Sequence, residues 1–239
     1  MSTAPINAVN LAVGYGHKPI VAGLNFTLSP GELLVLIGTN GSGKSTLLKT
    51  LAGLIAPQDG ELTVLGDLPG KQPSRVAYLP QHPVSSHTLP LRVEDVVAMG
   101  RYAHLGLLRR ARHEDRDIVA RSMHRTGADA FANRPLRDLS GGQQQRTHLA
   151  QVLAREAEVL LLDEPTAGLD ITGRRAVGEL VAQERARGVI VVMATHELSD
   201  ADSADMVMLL AQRVVSQGPP ASALSDAALR ECFGFTQPH

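Results

Sequence analysis

Leu33-Leu34-Val35-Leu36-Ile37-Gly38-Thr39-Asn40-Gly41-Ser42-Gly43-Lys44-Ser45-Thr46-Leu47-Leu48 decides the fold. Leu33 to Ile37 is apolar at every position, the pattern of a strand buried on both faces. A glycine-rich loop follows. Leucines at 47, 48 and 51 then recur with helical spacing over Ser45 to Leu54, which runs out near Gly53 and Pro57. Gly38 to Ser45 fits G-x-x-x-x-G-K-[ST] in the strand–loop–helix context that the motif requires. Its glycines let backbone N–H groups turn toward phosphate oxygens, and the helix N-terminus adds its positive end. Gly38, Thr39, Asn40, Gly41, Ser42, Gly43, Lys44, Ser45 and Thr46 are therefore candidate contacts for a nucleoside triphosphate. Lys44 is expected to reach the β- and γ-phosphates, and Ser45 to ligate Mg²⁺.

Upstream, the alternation of Leu24, Phe26 and Leu28 predicts a half-buried strand, and Ser29-Pro30-Gly31-Glu32 a turn into Leu33. Together they predict a hairpin that feeds the buried strand. Downstream, Pro80 to Pro90 is rich in Pro, His and Ser, and Val93 to about Arg155 reads as almost wholly helical. Val159 to Leu162 reads as a strand and Thr172 to Arg187 as a helix with Val177, Leu180 and Val181 inward. Gly188 suits the C′ position of that helix, and Val189 to Ala194 is a further buried strand. Met206 to Gln217 predicts a hairpin and Ser225 to Cys232 a last short helix. The expected fold is α/β: a core with a mostly parallel sheet, an N-terminal antiparallel hairpin region and an inserted helical subdomain. Residues 1–81 and 156–239 would form the core and 82–155 the insertion, all within one domain.

The chain has 239 residues, 44% hydrophobic and 20% charged, which fits one sizeable globular domain. A net charge of −1 gives no global field to recruit nucleic acid or anionic lipid, so no nucleic-acid partner is expected. The single cysteine, Cys232, excludes an internal disulfide and any multi-cysteine metal site, and makes a reducing compartment the default. No apolar run approaches the ~20 residues of a membrane helix, and Met1 to Asn10 lacks the pattern of a secretory signal. His82, His87, His104 and His113 match no compact ligand spacing and read as scattered polar histidines. Arg109, Arg110, Arg112, Arg116, Arg121 and Arg125 alternate with acids and read as a solvated helical face.

Asp163 and Glu164 close the apolar run Val159 to Leu162, at the strand end where parallel sheets open their sites. Asp163 suits the Mg²⁺ shell. Glu164 is expected to orient or deprotonate the water that attacks the γ-phosphate. In Leu139-Ser140-Gly141-Gly142-Gln143, Ser140 can cap a helix carrying Leu149, Val152 and Leu153. Two glycines just inside that helix cost about 1 kcal/mol each unless a backbone must approach something closely, and an anion is the natural candidate.

With this element the sequence resembles the nucleotide-binding subunits of ABC transporters, whose signature is Leu-Ser-Gly-Gly-Gln before the acidic strand. The resemblance covers essentially the whole chain and implies a RecA-like P-loop NTPase core. By resemblance, Tyr15 matches the aromatic residue stacked on adenine. Gln81 matches the glutamine joining the Mg²⁺ site to the membrane subunit, Asp170 the aspartate of the dimer-contact loop, and His196 the histidine that contacts the γ-phosphate. Glu164, His196 and Lys44 would be the catalytic set, with Ser45, Gln81 and Asp163 around Mg²⁺. The family further implies a head-to-tail homodimer in which Ser140, Gly141, Gly142 and Gln143 of one subunit meet the ATP of the other. Thr39 stands where the family more often has Pro, and Ala167-Gly168-Leu169-Asp170 replaces the commoner Ser-Ala-Leu-Asp.

A single nucleotide unit with no membrane span is the usual build of bacterial importers, whose ATPase lies in the cytoplasm against the inner face of the plasma membrane. Such a subunit works with integral membrane permease subunits and, indirectly, an extracytoplasmic solute-binding protein. Leu91 to Gly106, with Arg109-Arg110 and Asp115-Arg116, is similar to the subunits of zinc and manganese importers and, more weakly, of ferric siderophore and haem importers. Divalent metal uptake is thus the leading expectation. A soluble ABC protein of DNA repair or translation is the alternative from another class, and a P-loop kinase would lack Leu139 to Gln143.

Overall fold

The computed structural model describes residues 6–16, 18–81, 91–105 and 111–234. The chain opens with strands β1 (Ile6–Tyr15), β2 (Lys18–Leu28) and β3 (Leu33–Gly38), then helix α1 (Lys44–Leu51) and strands β4 (Asp59–Thr63) and β5 (Val76–Leu79). Helices α2 (Val93–Ala98), α3 (Tyr102–Leu105), α4 (His113–Thr126) and α5 (Gly141–Leu153) follow. Strand β6 (Val159–Asp163), helix α6 (Ile171–Ala186) and strand β7 (Ile190–Thr195) come next. The pair β8 (Met206–Leu210) and β9 (Val214–Gly218) and helices α7 (Pro220–Ala223) and α8 (Asp226–Phe233) complete it.

Two sheets organise these elements. β2-β1-β4 is antiparallel, and the larger sheet runs β5-β6-β7-β3-β8-β9, parallel except for β9. Every residue of β3, β6 and β7 is buried, as the unbroken apolar runs require. On one face of the large sheet Leu34, Leu36, Leu161 and Val192 pack with Leu47, Leu48 and Leu51 of α1 and with β1 and β2. On the other, Leu33, Val35, Leu160 and Val191 pack with Leu149 and Val152 of α5 and Val177 and Val181 of α6. A third cluster joins α2, α4 and α5 through Val93, Val97, Ile118, Met123, Ala150 and Ala154.

The strands expected downstream of residue 92 are present, as are the β8–β9 hairpin and α8, which Ser225 caps, but the stretch to Arg155 is interrupted: between α4 and α5 residues 127–140 form turns with two short 3-10 segments. One expectation is corrected. Leu24 to Leu28 and Leu33 to Ile37 do not pair as a hairpin: β2 pairs with β1, and the Ser29 to Glu32 turn carries the chain from one sheet into the other. The turn itself is real, closed by Glu32 N–H on the Ser29 carbonyl at 3.1 Å. The N-terminal hairpin is instead β1–β2. β1, β4 and β5 were not foreseen, and α1 stops at Leu51, leaving Leu54 exposed. Most of the Pro80 to Pro90 stretch, with His82 and His87, and Arg109 and Arg110 lie outside the described residues.

Arg125 is only partly exposed and does more than face solvent. It bridges α4 to α6, pairing with Glu184 at 2.6 Å and donating to Gln183 Oε1 at 3.0 Å. His104 Nε2 lies 2.7 Å from the Arg155 carbonyl, and His113 pairs with Asp117 on the surface.

Candidate nucleotide site

The strand order puts the loop after β3 and the acids ending β6 on either side of β7, all at the C-terminal edge of the parallel strands. That edge is where open α/β sheets hold ligands. The loop after β3 needs glycine at two positions for different reasons. At Gly38 an added methyl would collide with the Leu210 carbonyl of the neighbouring strand. At Gly43, the residue before α1, φ is +108° and a methyl would meet Val21 as well.

Lys44 starts α1 and is buried, with Nζ donating to the carbonyls of Gly38 at 2.6 Å and Thr39 at 3.1 Å. Burial lowers its pKa below the ordinary lysine value, opposed by the nearby Glu164 and Asp163 carboxylates. Asp163 is 2% exposed, and desolvation raises its pKa. The Ser45 and Tyr78 hydroxyls and the Lys44 ammonium favour its ionised form. Tyr78 O–H donates to Asp163 Oδ2 at 3.3 Å, and burial holds the phenol protonated well beyond its ordinary range.

Among the described residues, Ser42 Oγ and Asp163 Oδ1 are two of four buried side-chain polar atoms without a hydrogen-bond partner. Both lie at this loop and strand end. Orphaned buried oxygens are costly unless a ligand completes them, so a hydroxyl at Ser45 beside a free oxygen of Asp163 fits a hard, oxygen-seeking cation such as Mg²⁺.

Glu164 follows β6 with φ +51°, a left-handed conformation unusual for a residue with a side chain. Its N–H donates to the Ala194 carbonyl at 2.9 Å, which ties it to β7. Its Oε2 accepts from Gln81 Nε2 at 2.9 Å and lies 3.8 Å from His196 Nδ1. His196 stays largely exposed. The loop carrying it is braced by the Thr195 hydroxyl, which donates to Asp200 at 2.6 Å and accepts from Glu197 N–H.

A cavity of about 460 Å³ joins these parts. Asn40 to Thr46 form its floor, Gln81 and Glu164 one wall, and Tyr15 and Ile20 the other. Tyr15 is 55% exposed, and Lys49 Nζ approaches its hydroxyl at 3.3 Å. Gly38, Thr39, Asp163 and His196 stand just outside this lining. Ser140, Gly141, Gly142, Gln143 and Asp170 do not line it at all. Ser140 caps α5 in a reciprocal box with Gln143, at 3.3 and 3.0 Å. A methyl added at Gly141 would meet nothing within 4 Å among the described residues. Asp170 caps α6 through Gly173 N–H at 2.8 Å, beside Ile171, which is 87% exposed.

Sequence reasoning missed Tyr78, Lys49 and Gln145, the last donating to the Pro165 carbonyl at 2.9 Å and so linking α5 to the loop after Glu164. Tyr78 precedes Gln81 by three residues, but the four-residue strand that aims it carried too little pattern to be read.

The ABC transporter family model matches residues 21–167. The manganese transport system ATP-binding protein MntB of Bacillus subtilis is 35% identical, over 96% of this chain and 92% of its own. The zinc transport system ATP-binding protein TroB of Treponema pallidum is 34% identical, over 94% of this chain and 85% of its own. Among solved structures, an inward-facing ABC transporter assigned to the metal-chelate type superposes with a TM-score of 0.84 at 28% identity, over 98% of this chain and 90% of that one. A triphosphate-binding loop, an acidic strand end beside it and likeness along nearly the full length agree: the chain belongs to the ABC transporter family, as an ATP-binding subunit that hydrolyses ATP and works with membrane permeases.

Proposed function

We propose that this chain powers bacterial uptake of a divalent metal ion, zinc or manganese, through separate membrane subunits. What carries the cargo is likeness along nearly the whole chain to ATP-binding proteins of manganese and zinc systems. Among the described residues no helix is long and apolar enough to cross a membrane. The metal's path therefore belongs to the membrane partners, with a solute-binding protein outside and this chain peripheral on the inner face.

ATP enters the cavity with its phosphates on Asn40 to Thr46 and its base against Tyr15. Lys44 exchanges its two carbonyl partners for phosphate oxygens, and Ser42 Oγ gains the partner it lacks. Ser45 and Asp163, with Gln81 near, would hold the Mg²⁺ that accompanies ATP, which would supply charge neutralisation at the phosphates. Glu164 takes a proton from water as the water oxygen bonds to the γ-phosphorus. The bond to the bridging oxygen then breaks, and ADP and phosphate leave. His196, within reach of Glu164, contacts the γ-phosphate.

A second copy, arranged head to tail, completes each site with Ser140, Gly141, Gly142 and Gln143. Two observations support this: these residues do not line their own chain's cavity, and Gly141 opens onto free space. The Ser140 oxygen accepts the cap bond, so its O–H remains available to donate to a phosphate. Asp170, with the exposed Ile171, belongs to the same contact.

The test is total cellular zinc, manganese and iron, measured by elemental mass spectrometry in metal-limited cells carrying wild-type or Glu164→Gln protein. A selective fall in zinc or manganese is expected. Iron falling alone would replace this reading with uptake of a chelated metal, which likeness to a transporter of metal-chelate type favours as the second reading. No change in any metal would defeat both.

A further inference from the structure

We propose that Tyr78 is a positioning residue for Asp163: its phenol holds one carboxylate oxygen and so turns the other toward the cation that accompanies the nucleotide. Tyr78 lies on β5 opposite Leu161 of β6. Asp163 is two residues further along β6, so its side chain leaves the same face of the sheet. The Tyr78 ring packs against the apolar layer under α1, which fixes its direction, and the hydroxyl emerges from that layer 3.3 Å from Asp163 Oδ2. Oδ1 is buried and has no partner.

Packing alone would be served by phenylalanine, so the hydroxyl needs its own reason. A carboxylate anchored at neither oxygen can rotate and offer either or both to a cation. A donor fixed on Oδ2 leaves a single oxygen for the metal. Lys44 does not supply that donor, because its Nζ is engaged by the Gly38 and Thr39 carbonyls here and by phosphate once nucleotide binds, and the Ser45 hydroxyl, which also favours the ionised carboxylate, would itself be committed to the cation. Groups that hold a metal ligand from behind commonly change metal affinity about tenfold or more when removed.

This inference rests on the reading of Asp163 as a Mg²⁺-facing residue, and the experiment separates the two. Binding of a fluorescent ATP analogue is titrated with Mg²⁺ and repeated in EDTA, for wild type, Tyr78→Phe, Asp163→Asn and the double variant. Mn²⁺ in place of Mg²⁺ gives an electron paramagnetic resonance readout that does not depend on turnover. Tyr78→Phe should raise the half-saturating Mg²⁺ concentration about tenfold, leave binding in EDTA unchanged, and add nothing once Asp163 is Asn. An unchanged Mg²⁺ requirement in Tyr78→Phe, with Asp163→Asn impaired, overturns the role of Tyr78 alone. An equal loss in EDTA also overturns it, since that marks general damage to packing. An unchanged requirement in Asp163→Asn overturns the underlying reading of Asp163 and the inference with it.

Discussion

Glu164 pairs an uncommon backbone conformation with a central position. Its left-handed φ is held by the bond from its N–H to Ala194, and its carboxylate then meets Gln81 and His196, which come from different strand ends. A group so fixed suits a base that must wait for a water molecule in one place. Glu164→Gln keeps the shape and removes the basicity, so turnover should fall by about 10² to 10⁴ while ATP affinity persists. Single-turnover hydrolysis and equilibrium ATP binding check this. Turnover within a few-fold of wild type would assign the proton to another group.

At the scale of elements, α5 makes two demands that can be measured apart. Ser140→Ala removes its cap at a cost of about 1 kcal/mol, too little to unfold a domain. If Ser140 also meets nucleotide, hydrolysis should vanish while the urea midpoint barely moves. Activity lost only in proportion to unfolding would leave it a cap and nothing more. In the same helix, His148 is buried with Nε2 unpartnered, and burial lowers its pKa below 6.5, opposed by Gln151. The unfolded chain therefore binds more protons than the folded one between the folded value and 6.5. Stability is full above that window and is lost as pH falls through it, by at most about 1.4 kcal/mol per pH unit. Urea unfolding from pH 7.5 down to 5.5 should show this slope in wild type and a flatter one in His148→Phe. Parallel slopes would refute the assignment.

Elements also differ in how legibly the sequence announces them. β3, β6 and β7 are doubly buried, so their apolar runs suffice. β1 is broken by register shifts and by Asn10 at φ 48°, which erase its alternation. β4 is a largely exposed edge strand, and β5 has four residues. The Ser29 to Glu32 turn is legible in the sequence, but the turn does not decide pairing: β2 joins β1, the strand just before it, rather than β3 after it. The nucleotide loop was legible because its chemistry is local. Tyr78 and Arg125 were not, because each acts on a residue that only folding brings near.

For the whole molecule, the ion pair between Arg125 of α4 and Glu184 of α6 joins the helical cluster to the sheet core. Glu184 is almost fully buried and receives Arg125 from α4 and Arg187 from its own helix end. Glu184→Ala leaves Arg125 with the side-chain amide oxygen of Gln183 as its partner among the described residues. A loss of about 2 kcal/mol is expected, with earlier proteolytic cleavage in the helical part. Stability within about 0.5 kcal/mol of wild type, the range of an ordinary surface change, would mean that the join relies on apolar contacts instead.

α5 is held by both cores at once, with Leu149 and Val152 in the sheet layer and Ala150 and Ala154 in the helical cluster. It is also the last helix of the crossover from β5 to β6, and Ser140 caps its N-terminal end. Mechanically, that is a lever with its fulcrum near Leu153. A helix of 13 residues is about 20 Å long, so a swing of about 10° carries its tip about 3 Å. Hydrogen bonds fail within such a distance. Force applied to the helical cluster, far from any phosphate, would thus arrive at Ser140 as the making or breaking of single contacts.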